Sequence, residues 1–203
     1  FKPIILSYAI LMLVAGLLYN LLSAKVTVVR PPKWVNPVTL PHRGIIFKLS
    51  GLFALDSFGH GFVLESLVSL WFHDHFGISI GSLAFLWFGW HVITSSSFWF
   101  AARLAARIGH INTIVFAHLP SNLLLIALPF APEAWIAITL WQVRSFFQLM
   151  DSPIRNSYIV GIVPPEERVA MSAYTSISQT GAAATTPTVA GAVWGIGSAT
   201  IPF

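Results

Sequence analysis

Polar positions in this chain are sparse and gathered into short clusters, and between them run apolar blocks of about the length that crosses a bilayer. The blocks cover residues 4–23, 44–72, 80–106, 111–130, 134–163 and 169–194. A transmembrane helix needs about 20 such residues at a rise of about 1.5 Å each. The pattern therefore predicts an all-α membrane protein in which each block is one spanning helix. The later connections are brief, at 73–77, 107–110, 131–133 and 164–168. Short connections force consecutive helices antiparallel, so the expected architecture is an up-and-down transmembrane bundle. The stretch 24–43 differs, with Pro31, Pro32, Pro37 and Pro41 among polar residues. It cannot be helical throughout. The resulting division is a first helix at 1–23, a linker at 24–43 and a bundle at 44–203.

Composition agrees with lipid as the solvent. Of the 203 residues 56% are hydrophobic and only 9% charged, where soluble domains carry roughly 25% charged residues. The mean hydropathy of +0.76 is too high for one water-soluble core. Without cysteine, disulfides, thiolate metal sites and cysteine nucleophiles are excluded. The net charge of +4 is spread between apolar blocks and forms no basic face, so no nucleic-acid partner is expected.

The basic residues instead orient the chain. Lys25, Arg30, Lys33, Arg43 and Lys48 lie in or beside the linker, and Arg103 and Arg107 precede the 107–110 turn. The positive-inside rule makes both regions cytoplasmic. Alternation then puts 73–77 and 131–133 outside, where Asp74 and Glu133 occur without Lys or Arg; Lys2 is the one exception. The chain opens on Phe1 and closes within an apolar run at 195–203, so both ends are expected to be internal to a longer protein.

Three stretches carry a family resemblance. AARLAARIGHIN at 101–112 places Arg103, Arg107 and Gly109 around a helix connection, with Ala106 at a position where a loop signature of this type has an acid. MDSPIRNSY at 150–158 is followed by PPEERVAMSA at 164–173, and LFALDSFGHGFVLESLVSLWF fills 52–72. In this order, after one helix and a long basic linker, they resemble the middle and second half of a major facilitator superfamily transporter. The resemblance implies that 1–23 is the sixth helix of twelve and 24–43 the cytoplasmic central loop. The bundle at 44–203 is then the C-terminal half, lacking most of its final helix, and the N-terminal half of the same chain is its missing partner. It further implies a multi-pass protein of the plasma (inner) membrane and a small-molecule substrate.

Ionisable groups facing lipid cost at least roughly 2.5–3.5 kcal/mol each, so those inside the blocks must face protein or water. Asp56 and His60 are one helical turn apart and share a face, while Glu65 lies about half a turn away unless Gly59 and Gly61 alter the phase. Arg144 sits ten residues into its block, with Gln148 at i+4. These five residues are the candidate substrate and proton pathway. Asp56 or Glu65, or an anionic group of the substrate, is the expected partner of Arg144. Asp151 and Arg155 are also one turn apart, near the inner end. With Arg103, Arg107, Glu166, Glu167 and Arg168 they make a candidate cytoplasmic gate held by ion pairs.

Other polar residues have plainer readings. His73 and His75 lie on an outer loop at a spacing that closes no metal site. His91 and His118 hydrogen-bond to neighbouring helices, with a kink at Pro120. The small, hydroxyl-rich run from Ser172 to Thr186 suits close helix packing.

The function these residues support is secondary active transport by alternating access, in the form of a proton-coupled efflux permease that needs no cofactor. No phosphate-binding Gly-rich loop is present to make transport ATP-driven. An intramembrane enzyme using Asp56, His60 and His91 is the alternative, yet neither His-Glu-x-x-His nor Gly-x-Ser-x-Gly occurs. A non-transporting receptor or scaffold would not need Asp56 and Arg144 at membrane depth.

Overall fold

The computed structural model describes residues 2–21, 36 and 39–196, and among these it contains eight α-helices, two short 3₁₀ turns and no strand. The all-helical expectation holds. Most of the 24–43 linker, with Lys25, Arg30, Lys33 and three of its prolines, lies outside the described residues, as does the terminal run beyond 196.

The chain divides into two units, Phe1–Val35 and Asn36–Phe203. The first contains helix α1 (Lys2–Tyr19), whose described large apolar side chains are exposed. The second contains α2 (Arg43–His60), α3 (Glu65–Phe76), α4 (Ile80–Ile108), α5 (His110–Ala127), α6 (Ala134–Gln148), α7 (Ser152–Ile162) and α8 (Arg168–Ile196).

Two blocks expected as single spans are each two helices. Block 44–72 stops at His60, where Gly61 caps α2, and restarts at Glu65 after an extended Leu64. Block 134–163 stops at Gln148 and restarts at Ser152. Pro153 explains the second break: in a continuous helix its ring would meet the carbonyl of Leu149, and it has no N–H to donate. Hydropathy alone does not register the first interruption, because Phe62, Val63 and Leu64 at that break are themselves apolar.

These breaks also change the account of membrane spans. Among the described residues one helical stretch, His110–Phe130, is long and apolar enough to cross a bilayer, while Ile5–Tyr19 is apolar but shorter. Helices α4 and α8 have the length, at 29 residues each, but Ser, Thr, Gly and Arg dilute their apolar content. The expected connection at 73–77 is corrected too, since α3 continues through His73, Asp74 and His75. Gly77, with φ +67°, closes it in the left-handed region that favours glycine. The His73 ring pairs with the Ile78 carbonyl at 2.9 Å, and His75 stacks on Trp71. The turn at 107–110 is shorter than expected and rests on Gly109 alone, at φ +85°.

Three apolar clusters hold the second unit together. Trp71, Phe72, Leu86, Trp90 and Trp141 join α3, α4 and α6. Ile46, Phe53, Ile159 and Met171 join α2, α7 and α8. Ala101, Ala105, Ala117, Met150 and Ile154 let α4, α5 and α7 approach closely. The small-residue run of α8 does pack against α2: the Thr186 hydroxyl donates to the Phe58 carbonyl at 3.2 Å, and a Cβ on Gly61 would lie 2.5 Å from that of Thr186. Helix α5 passes through Pro120 as one helix.

Candidate functional site

The two helix breaks and the middle of α5 bring four ionisable side chains into one ring. Asp56 stands on the last turn but one of α2, His118 on α5, and Asp151 and Arg155 straddle the start of α7. Arg155 Nη1 donates to Asp56 Oδ2 at 2.8 Å, while its Nε donates to Asp151 Oδ2 at 3.1 Å and its Nη2 reaches the same oxygen. On the other side His118 Nε2 lies 3.1 Å from Asp151 Oδ2, and its Nδ1 lies 3.9 Å from Asp56 Oδ1. Two carboxylates are thus bridged twice, once by a guanidinium and once by an imidazole. His60 adds a fifth group, with Nδ1 at 3.7 Å from Asp56 Oδ1.

This arrangement can store a proton. A neutral imidazole pairs with Asp151 alone, whereas an imidazolium adds a positive charge that faces Asp56 at 3.9 Å, beyond hydrogen-bond length. The two aspartates differ in access, because the Asp151 side chain is only 2% exposed and that of Asp56 is 24% exposed. Asp56 and His118, with side chains 24% and 25% exposed, are the more open members of the ring, and both line the cavity beside it.

Asp56, His60, Asn122, His118, Arg144 and Arg155 supply the polar wall of a cavity of about 460 Å³, completed by apolar residues of α2 and α5. Its size falls in the range of about 300–1,000 Å³ that suits small-molecule ligands.

Of the expected pathway, Asp56, His60 and Arg144 line this cavity, and the expected separation of pathway from gate is corrected: Asp151 and Arg155 belong to the same cluster as Asp56. Glu65 does not join it, being exposed in the first turn of α3, where a carboxylate complements the helix dipole. Arg144 has neither expected acid as partner. Its Nη1 donates to Gln148 Oε1 at 2.6 Å and its guanidinium lies 5.0 Å from the Trp141 ring.

The remaining gate residues disperse. Glu167 is buried and pairs with His42 at 3.1 Å, Arg103 lies over Trp99 on its own helix, and Arg107, Glu166 and Arg168 are exposed. The inner end of α4 does pack on the start of α7, but through Ala101 and Ala105, while Arg103 and Arg107 lie on its exposed side. His91 is exposed against Trp90 and makes no bond to another helix.

Sequence reasoning assigned His118 only a hydrogen-bonding role. Its signal was its rarity: in the apolar stretch His110–Phe130 the other ionisable residue is His110, at the first position. Asn122, one turn further along α5, reads from sequence only as a polar position inside the helix, with no place in the pathway. Compared with family models, with curated proteins and with solved structures, the chain matches none.

Proposed function

We propose that this chain works as a proton-coupled secondary transporter that moves small organic molecules outward by alternating access, in the manner of the C-terminal half of a major facilitator superfamily permease. The observation that carries this reading is the ring of Asp56, Arg155, Asp151 and His118, of which Asp56, Arg155 and His118 line the cavity. A group that takes up a proton where a solute binds is the minimum that coupling requires. Neutralising Asp56 loosens its hold on Arg155, which leaves the guanidinium to Asp151 and weakens the tie between α2 and α7.

Two further observations support the reading. The outer faces of α4 and α5 carry Ile80, Phe85, Phe88, Ile111, Val115, Leu119 and Leu123 exposed, which suits a lipid bilayer and a multi-pass protein of the plasma membrane. The ring also sits beside two interrupted helices, and transporter sites are typically built where helices are discontinuous. The enzyme alternative has less behind it, because the ring contains no hydroxyl or thiol nucleophile beside a base.

The test is flux in proteoliposomes that contain a pH-sensitive dye, screened against a panel of small organic molecules under an imposed pH gradient. Substrate-dependent proton movement is expected from the wild type and is lost in Asp56→Asn. Unchanged coupling in Asp56→Asn removes the proton role, and flux that follows ATP instead of the gradient contradicts the reading altogether.

A further inference from the structure

The ionic ring satisfies its own members, but Arg144 stands outside it. Its side chain is 3% exposed yet contributes to the cavity wall. Of its five N–H donors one meets the neutral Gln148 amide, and Nε has no hydrogen-bond partner. Among the described residues no carboxylate pairs with it. Asp56, the acid that shares the cavity, is already held by Arg155 at 2.8 Å. A buried guanidinium without a counter-charge is costly, and the cost falls when a ligand brings the charge.

We infer that Arg144 anchors the head group of an organic anion, and that the ligand is a monocarboxylate with an apolar body. The inference rests on reading the cavity as the substrate site, and it names the substrate class. One uncompensated positive charge calls for one negative charge, and the planar fork of arginine matches a carboxylate through two parallel hydrogen bonds. The apolar part of the wall, with Leu52, Phe53, Leu55, Val63 and Leu125, receives a hydrocarbon or aromatic body. A cationic ligand is disfavoured, since two guanidinium groups face it and Asp56 is engaged. A neutral one leaves Arg144 as it was.

The experiment uses the whole protein in lipid nanodiscs at one pH and ionic strength. Acetate, benzoate and 1-naphthoate are each compared with their neutral amide, and benzylamine serves as the cation; thermal stabilisation and calorimetry read binding. At least one carboxylate is expected to bind tenfold or more tightly than its amide, with affinity rising from acetate to the aromatic acids. Arg144→Gln abolishes that preference, while Arg144→Lys keeps part of it, having the charge without the fork.

Carboxylates that bind no better than their amides overturn the inference, as does an undiminished preference in Arg144→Gln. Should Arg144→Gln fail to fold, the wild-type comparison of acid with amide decides alone. Failures of the two readings differ in kind. A carboxylate that binds but never moves protons across the membrane removes transport and leaves the anion site. Proton-coupled flux of benzylamine without any response to the acids does the reverse.

Discussion

At the scale of single residues, the protein's chemistry is concentrated in Arg155. It touches carboxylates from two different helices, and the acid nearer to it in sequence, Asp151, is almost wholly buried. Removing the cation leaves a buried negative charge with only His118 to offset it. Arg155→Gln is therefore expected to lower stability by about 3–5 kcal/mol, the usual cost of breaking a buried pair from one side. The double variant Asp151→Asn/Arg155→Gln recovers part of the loss, because the orphaned charge goes with its partner. Thermal unfolding in detergent measures both, and an Arg155→Gln protein as stable as wild type shows that the ring holds nothing together. The spacing of Asp56 with His60 and of Asp151 with Arg155 made each pair visible from sequence, since i and i+4 share a helix face. That the pairs meet each other was invisible, because Asp56 and Arg155 are 99 residues apart.

At the scale of elements, the packing of α2 on α8 depends on the absence of a side chain at Gly61. A methyl group there would sit 2.5 Å from Thr186 Cβ, whereas at Gly59 it would meet nothing within 4 Å. Gly61→Ala is expected to destabilise by about 1–3 kcal/mol through overpacking. Gly59→Ala is expected to be neutral, or stabilising by up to about 1 kcal/mol from helix propensity. A comparison of their unfolding midpoints checks this, and equal midpoints remove the close approach as a determinant of the fold. The same neighbourhood shows why element boundaries were only partly legible. Glycines at 59 and 61 signalled a loosened helix, but not that α2 would end and α3 begin anew. Pro153 was equally plain in the sequence, yet the long block 134–163 reads as one helix across it.

At the scale of the whole molecule, many large apolar side chains of the described residues face outward. Ile80, Phe85 and Phe130 are about four-fifths exposed, and comparable side chains line the outer faces of α4 and α5. In water such surface drives aggregation; in hydrocarbon it costs nothing. The protein is expected in the membrane fraction of cells, to come out only with detergent, and to aggregate when detergent is removed. Size-exclusion chromatography decides, and a monodisperse, detergent-free monomer in water sinks both the membrane assignment and the transport proposal.

What the sequence determined by itself was the helical class, the apolar character of nearly every element and the identity of the few ions embedded in them. Those are local and additive properties, fixed by composition and by the reach of a single helical turn. Only the tertiary structure decided that Asp56 meets Asp151, Arg155 and His118 in one ring, that Glu65 and the loop arginines stay apart from it, and that Arg144 is left without an acid. Each of those outcomes turns on how interrupted helices pack against one another. Packing is set by side-chain shape across residues far apart in the chain, which no run of hydropathy records.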